Sequence, residues 1–155
     1  MNDQKTFASY HAEFPSVPVF PIYHMISDED VSYVKHLYSY KNVKSFTADL
    51  DFFLKYYKPI DLTTLLISVK EKTELPKHSF LISFDDGFKE LYDIVVPILK
   101  QKGIPATFFI NKCFIDNKEM FYRNKASLLI EHFSKLTDQD QILLQEYRSH
   151  SALHS

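Results

Sequence analysis

Tryptophan is absent from this chain, cysteine occurs once and glycine only twice in 155 residues. A lone cysteine, Cys113, excludes an intramolecular disulfide, so the chain is not an oxidised scaffold. It reads as a small buried hydrophobe. Two glycines and seven prolines exclude collagen-like and Gly/Ser-linker sequence. No apolar run approaches the roughly 18–20 residues that span a bilayer. A basic excess is also missing. Lys and Arg total 18 against 20 Asp and Glu, a formal net charge of −2, which leaves no global electrostatic footprint for nucleic acid. Met1 to Phe7 carry no basic stretch leading into an apolar one, so no signal peptide is recognised. The expectation is a cytoplasmic chain as written, with the cell envelope as the alternative if the chain is incomplete.

What is present is ordinary for a globular protein: 45% hydrophobic, 15% aromatic and 25% charged residues. That aromatic share argues against disorder, because disordered chains lack the apolar side chains that offset ordering entropy. The length suits one domain. There are no internal repeats.

Elements alternate along the chain. Pro18 and Pro21 confine a first strand to about Phe20–Ile26, since proline lacks the ladder donor. Thr47 is a candidate N-cap for a helix carrying Leu50, Phe53, Leu54 and Tyr57 on one face, stopped by Pro59. A short strand over Ile60–Leu62 leads to a second helix striped by Leu65, Leu66 and Val69. The run Ser79–Phe84 suits a strand buried on both faces. It ends in Asp85-Asp86-Gly87. A helix over Lys89–Lys102 follows, with Leu91, Ile94, Val95, Ile98 and Leu99 inward, Pro97 loosening it and Gly103 closing it. A further buried strand runs over Ala106–Asn111, parallel to the previous one. Two helices, about 126–136 and 138–147, complete the pattern. The order β, α, β, α, β, α, β and then helices implies an α/β layer or an α/β barrel.

Asp85 and Asp86 stand where a buried parallel strand meets the loop before a helix, the position at which α/β folds collect ligand sites. Gly87 lets the backbone turn so that both carboxylates reach one pocket. One carboxylate can then bind a divalent metal while the other accepts a proton from an activated water. The same pair also fits a helix cap, or the magnesium-binding acidic pocket of a phosphoryl-transfer domain. His24, ending the first strand, lies near the same rim. It reads as a site-lining residue or a hydrogen-bonded strand-end histidine. Tyr122-Arg123 reads as a surface or substrate loop. His11, His36, His78 and His132 show no partner pattern.

The surrounding residues narrow these alternatives. Leu81-Ile82-Ser83-Phe84-Asp85-Asp86-Gly87-Phe88, then Pro97-Ile98-Leu99, then Gly103-Ile104-Pro105-Ala106-Thr107-Phe108-Phe109-Ile110, together resemble the polysaccharide deacetylase family, or NodB-homology domain. Phe20 to Ser27 is similar to the opening strand of one branch of that family. The resemblance covers about residues 17–111, with a helical segment at 124–147 following. It implies the N-terminal portion of a distorted (β/α) barrel with parallel strands, followed by C-terminal helices. The implied chemistry is metal-dependent hydrolytic deacetylation of N-acetylated sugars in a polysaccharide or oligosaccharide. Asp85 takes the place of the general base and Asp86 that of a ligand to a divalent metal, commonly zinc.

The resemblance is partial. The family's His-Ser/Thr-x-x-His motif has one formal match, His150-Ser151-Ala152-Leu153-His154, which follows a helical rather than a strand pattern and reads as a coincidence. The later Arg-, Trp- and His-bearing motifs are missing. The sequence therefore reads as one incomplete domain over residues 1–155, weakly active or inactive as an isolated chain. The alternative function is a non-catalytic half-domain that binds glycan or a partner. Incompleteness also implies an uncovered sheet edge, and with it an oligomer or a complementing chain.

Overall fold

The computed structural model describes residues 17–137, 139, 140 and 142. They divide into two compact units: 17–29 with 40–112, and 30–39 with 113–137, 139, 140 and 142.

The first unit is mixed α/β, and all its strand pairs are parallel. Its strands are β1 (Ile22–Tyr23), β2 (Lys58–Pro59), β3 (Ser79–Phe80), β4 (Ile82–Phe84) and β5 (Ala106–Phe108). β4 lies between β1 and β5, and β3 pairs with β2. β3 and β4 act as one run interrupted at Leu81. The amides of Leu81, Ser83 and Asp85 donate to the carbonyls of Val19, Pro21 and Tyr23. The carbonyls of His78 and Phe80 accept from the β2 side, and that of Phe84 accepts from Phe109. The central run is thus hydrogen-bonded on both flanks, as its apolar sequence requires. β4 is buried throughout, and Phe80, Ile82 and Phe84 are fully inaccessible. No closed barrel is formed among the described residues.

Helix α1 (Val43–Tyr56) starts earlier than Thr47 suggests. Asn42 is the N-cap, its side chain accepting from the Ser45 amide at 2.7 Å. The physical reason is that Phe46 and Leu50, both fully buried, must share a face, and only the earlier start makes Phe46 helical. Leu54, expected inside, is partly exposed. The strand expected over 60–62 is displaced to Lys58–Pro59, because Asp61 caps the next helix, α2 (Leu62–Glu71), through the Thr64 amide at 2.8 Å. The Leu66 and Val69 side chains point outward, and Ser68 is the buried residue of α2.

The helix after the carboxylate pair is not uniform. Leu91–Val95 forms a π-helical turn in which the Val96 amide reaches back to the Leu91 carbonyl, and α3 (Val96–Lys102) follows. The wider turn places Pro97 in the first turn of α3, where its missing N–H leaves no intrahelical bond unmade. The inward stripe is as expected, with Leu91, Val95 and Leu99 buried and Ile94 and Ile98 packed against them. Gly103, at φ 65°, ends α3. β5 is shorter and less covered than expected, since Phe109 and Ile110 are exposed beyond it.

In the second unit, a 3-10 segment (Lys112–Asn117) begins just before the unit and leads into α4 (Tyr122–Ser134). The buried residues of α4 are polar. Ser127 and Asn124 donate to the carbonyls of Ser32 at 2.7 Å and Tyr33 at 2.9 Å. The Leu129, Ile130 and Phe133 side chains are exposed. Cys113 is exposed too, contrary to its reading as a buried hydrophobe, because it lies in the irregular 3-10 segment. Among the described residues no helix is long and apolar enough to cross a membrane.

Candidate functional site

Parallel pairing assembles the candidate site. In the β1–β4 register Tyr23 lies beside Phe84, so the next residues, His24 and Asp85, also lie side by side. Tyr23 and Phe84 turn inward and stack, with ring centroids 5.8 Å apart and planes 25° from parallel. Side chains alternate across a strand, so His24 and Asp85 point to the other side, at the carboxyl rim. His24 Nε2 is 3.7 Å from Asp85 Oδ2, and both side chains are partly exposed. A lateral strand pairing fixed by a few backbone hydrogen bonds therefore joins two residues 61 positions apart in the chain. The Asp85 amide, donating to the Tyr23 carbonyl at 3.0 Å, closes the ladder at this level.

Asp86 sits on a tight turn. The Gly87 amide donates to the Asp85 carbonyl at 2.9 Å, so three residues reverse the chain. Asp86 adopts φ 71° and Gly87 φ 73°. The left-handed region costs an L-residue roughly 1–2 kcal/mol and is best tolerated by Gly, Asn and Asp. The sequence Asp-Gly meets both requirements. The turn points Asp86 out to solvent beside the rim, and Ile110 from the run after β5 packs against Gly87.

Behind the rim, the Tyr23 hydroxyl donates to Asp49 Oδ2 of α1 at 2.7 Å, and Lys41 ion-pairs with the same oxygen. Burial first, then the hydrogen bond to Asp49 and its negative charge, push the Tyr23 phenol far above its usual range. It therefore remains a protonated donor at every physiological pH.

The described residues do not complete a metal centre. Among them no group of three or more His, Cys, Asp and Glu side chains comes together, whereas catalytic zinc sites use three protein ligands. Asp86 holds an exposed carboxylate beside the rim. His150 and His154 lie outside the described residues, as does most of the expected helix over 138–147.

Two other sequence readings change. Tyr122 and Arg123 form the first turn of α4 rather than a loop, with the guanidinium 5.9 Å from the Tyr122 ring centre. His36 does have a partner: its Nε2 lies 2.9 Å from Glu131 Oε2. Glu131 also accepts from Lys35 and Lys135, both at 2.7 Å. Hydrogen bonds from Lys135 foremost, then Lys35 and His36, hold its carboxyl down at about 2. Asp49 is the residue that sequence reasoning missed near the site. Its position on α1 is legible, but its contact with Tyr23 depends on how α1 packs on β1.

Comparison with known proteins adds an independent line. The polysaccharide deacetylase family model matches residues 72–148. The chain is similar to poly-β-1,6-N-acetyl-D-glucosamine N-deacetylase of Staphylococcus epidermidis, 34% identical over 97 residues, covering 57% of this chain and 34% of that protein. The same enzyme of Staphylococcus aureus is 35% identical over 79 residues, covering 46% and 27%. The matched part of the chain thus spans 27% to 34% of the length of these curated relatives. Among solved structures, a Streptococcus pyogenes deacetylase in complex with acetate superposes with a TM-score of 0.55 at 16% identity, covering 73% of this chain and 51% of that one. IcaB from Ammonifex degensii superposes with a TM-score of 0.52 at 22% identity, covering 61% and 38%. At these identities the superpositions speak to fold alone.

Proposed function

We propose, from the premise that residues 72–148 belong to the polysaccharide deacetylase family, that the rim formed by His24, Asp85 and Asp86 serves hydrolytic deacetylation of N-acetylated sugars in a polysaccharide. The observation that supports this best is the placement of Asp85 and Asp86 at the carboxyl end of a buried parallel strand, with His24 beside Asp85. The parallel strands belong, on this reading, to a (β/α) barrel. Relatives named for poly-β-1,6-N-acetyl-D-glucosamine suggest a β-1,6-linked N-acetylglucosamine polymer as substrate.

The chemistry assigns roles to the residues present. An amide carbonyl is a poor electrophile, so water must be deprotonated as it attacks. Asp85 is the proton acceptor. Only partly exposed and fixed by its backbone bond to Tyr23, it holds a carboxylate oxygen toward the rim. His24 borders that carboxylate, its Nε2 3.7 Å from Asp85 Oδ2. Asp86 is one donor to a divalent metal, zinc by family resemblance. Such an ion supplies polarisation of the carbonyl when bound. The described residues offer no complete donor set for such an ion.

For the same reason the 155-residue chain alone is expected to release little or no acetate. The experiment is acetate release from β-1,6-linked N-acetylglucosamine oligosaccharides, with and without added zinc. Zinc-dependent release by this chain, lost in Asp86→Ala, overturns the expected inactivity. The second reading, a half-domain that binds glycan or a partner without catalysis, is favoured by exposed apolar groups at both edges of the three-stranded sheet: Ile22 on β1, and Phe109 and Ile110 after β5. It predicts an oligomer in light scattering, or retention on immobilised N-acetylated polymer that Asp85→Asn leaves intact.

A further inference from the structure

We infer that Asp49 is a positioning residue for the His24–Asp85 pair, acting through the hydroxyl of Tyr23. The inference rests on the reading of Asp85 as the proton acceptor.

β1 is only two residues long, and His24 follows it at the exposed rim. Its backbone is tied to β4 at this level by the Asp85 amide on the Tyr23 carbonyl. A two-residue strand end of this kind frays unless a side chain anchors it. Tyr23 is that anchor. Its ring stacks on Phe84 and meets the edge of Phe46 at 5.3 Å and 80°. Ring packing fixes the plane but resists sliding weakly, since dispersion has no strong directional minimum. The hydroxyl supplies the missing constraint by donating to Asp49 Oδ2 at 2.7 Å. A hydrogen bond to a carboxylate is roughly twice as strong as one between neutral groups.

Asp49 is itself well placed to hold a strand. It lies on α1 between Phe46 and Leu50, both fully buried, and the helix is capped by Asn42. The same carboxylate oxygen pairs with Lys41. The Lys41 carbonyl in turn accepts from the Ser27 amide at 3.1 Å, and Lys41 bridges Ile26 in parallel. One carboxylate therefore ties down the chain on both sides of His24: at Tyr23 immediately before it, and through Lys41 at Ile26–Ser27 just after it. The backbone that carries the imidazole is thereby held beside Asp85.

The test is amide hydrogen exchange followed by NMR on the 155-residue chain. The Asp85 amide reports the rim, and the Leu81 amide, bonded to the Val19 carbonyl lower in the same ladder, is the reference. Asp49→Ala and Tyr23→Phe are each expected to speed Asp85 exchange by about tenfold or more, with Leu81 changed less than about threefold. Adding Tyr23→Phe to Asp49→Ala is expected to add nothing, because Asp49→Ala already removes the acceptor of the Tyr23 hydroxyl along with the partner of Lys41. Asp49→Asn keeps an oxygen to accept the hydroxyl and is expected to restore most of the protection. Unchanged Asp85 exchange in both single variants overturns the inference. Equal acceleration at Leu81 and Asp85 overturns it as well, since that is general destabilisation. If Asp49→Ala does not fold, Tyr23→Phe, which keeps the ring, decides alone. The readout involves no substrate, so absence of deacetylation fails the functional reading without touching this result.

Discussion

Ile110 packs onto Gly87: its Cγ2 lies 3.3 Å from the point a Cβ on Gly87 would occupy. The contact joins the run after β5 to the turn that carries Asp86, and Gly87 has φ 73° there. Gly103 provides the control, with φ 65° but nothing within 4 Å of its Cβ position. Alanine at either site incurs the left-handed cost of roughly 1–2 kcal/mol. Gly87→Ala additionally forces Ile110 aside. Urea unfolding should therefore show a larger loss for Gly87→Ala than for Gly103→Ala. Ile110→Ala made in the Gly87→Ala background should narrow the difference. Equal losses at the two glycines contradict the packing role of Ile110.

The start of α1 is a second test. Asn42→Ala removes a side chain that accepts from the Ser45 amide and should cost about 1 kcal/mol in urea unfolding. Thr47→Ala places a better helix former inside the helix and should leave stability unchanged or slightly raised. The reverse ranking puts the cap at Thr47.

Glu131 gives the pH dependence. Its carboxyl is held down at about 2, from an ordinary 4.5, by Lys135, Lys35 and His36. A depressed folded-state value means that the stabilisation is fully present above about pH 4.5 and is lost as pH falls through about 2. The difference in urea midpoint between the wild type and Glu131→Gln should therefore be largest near neutrality and shrink between pH 4.5 and 2. A difference that stays constant over that window contradicts the assigned role of these three hydrogen-bond partners.

Much of the first unit was legible because its signals are local. Ile82 to Phe84 read as a doubly buried strand, and Leu91, Val95 and Leu99 as an inward stripe, from spacing alone. Gly103 announced the end of α3. The structure departs from the local pattern where two local signals compete. Thr47 and Asn42 both suit an N-cap, and the burial of Phe46 decided between them. Leu66 and Val69 looked like a core stripe, yet α2 turns Ser68 inward. The polar face of α4 was illegible because its partners, Ser32, Tyr33, Lys35 and His36, lie about 90 residues away. At the candidate site the Asp85-Asp86-Gly87 turn was plain from composition. That His24 faces Asp85, and that Asp49 anchors Tyr23, depend on strand register and helix packing, which no short motif encodes.

Acetate release from a chimera shows whether Asp85 accepts the proton in deacetylation. Residues 17–112 replace the corresponding segment of the Staphylococcus epidermidis N-deacetylase, to which this chain is 34% identical over 97 residues. The folded chimera should release acetate from β-1,6-linked N-acetylglucosamine oligosaccharides. Asp85→Asn, which keeps the shape and removes the base, should lower kcat by about 10²–10⁴-fold with the fold intact by circular dichroism. Undiminished release by the Asp85→Asn chimera contradicts the account.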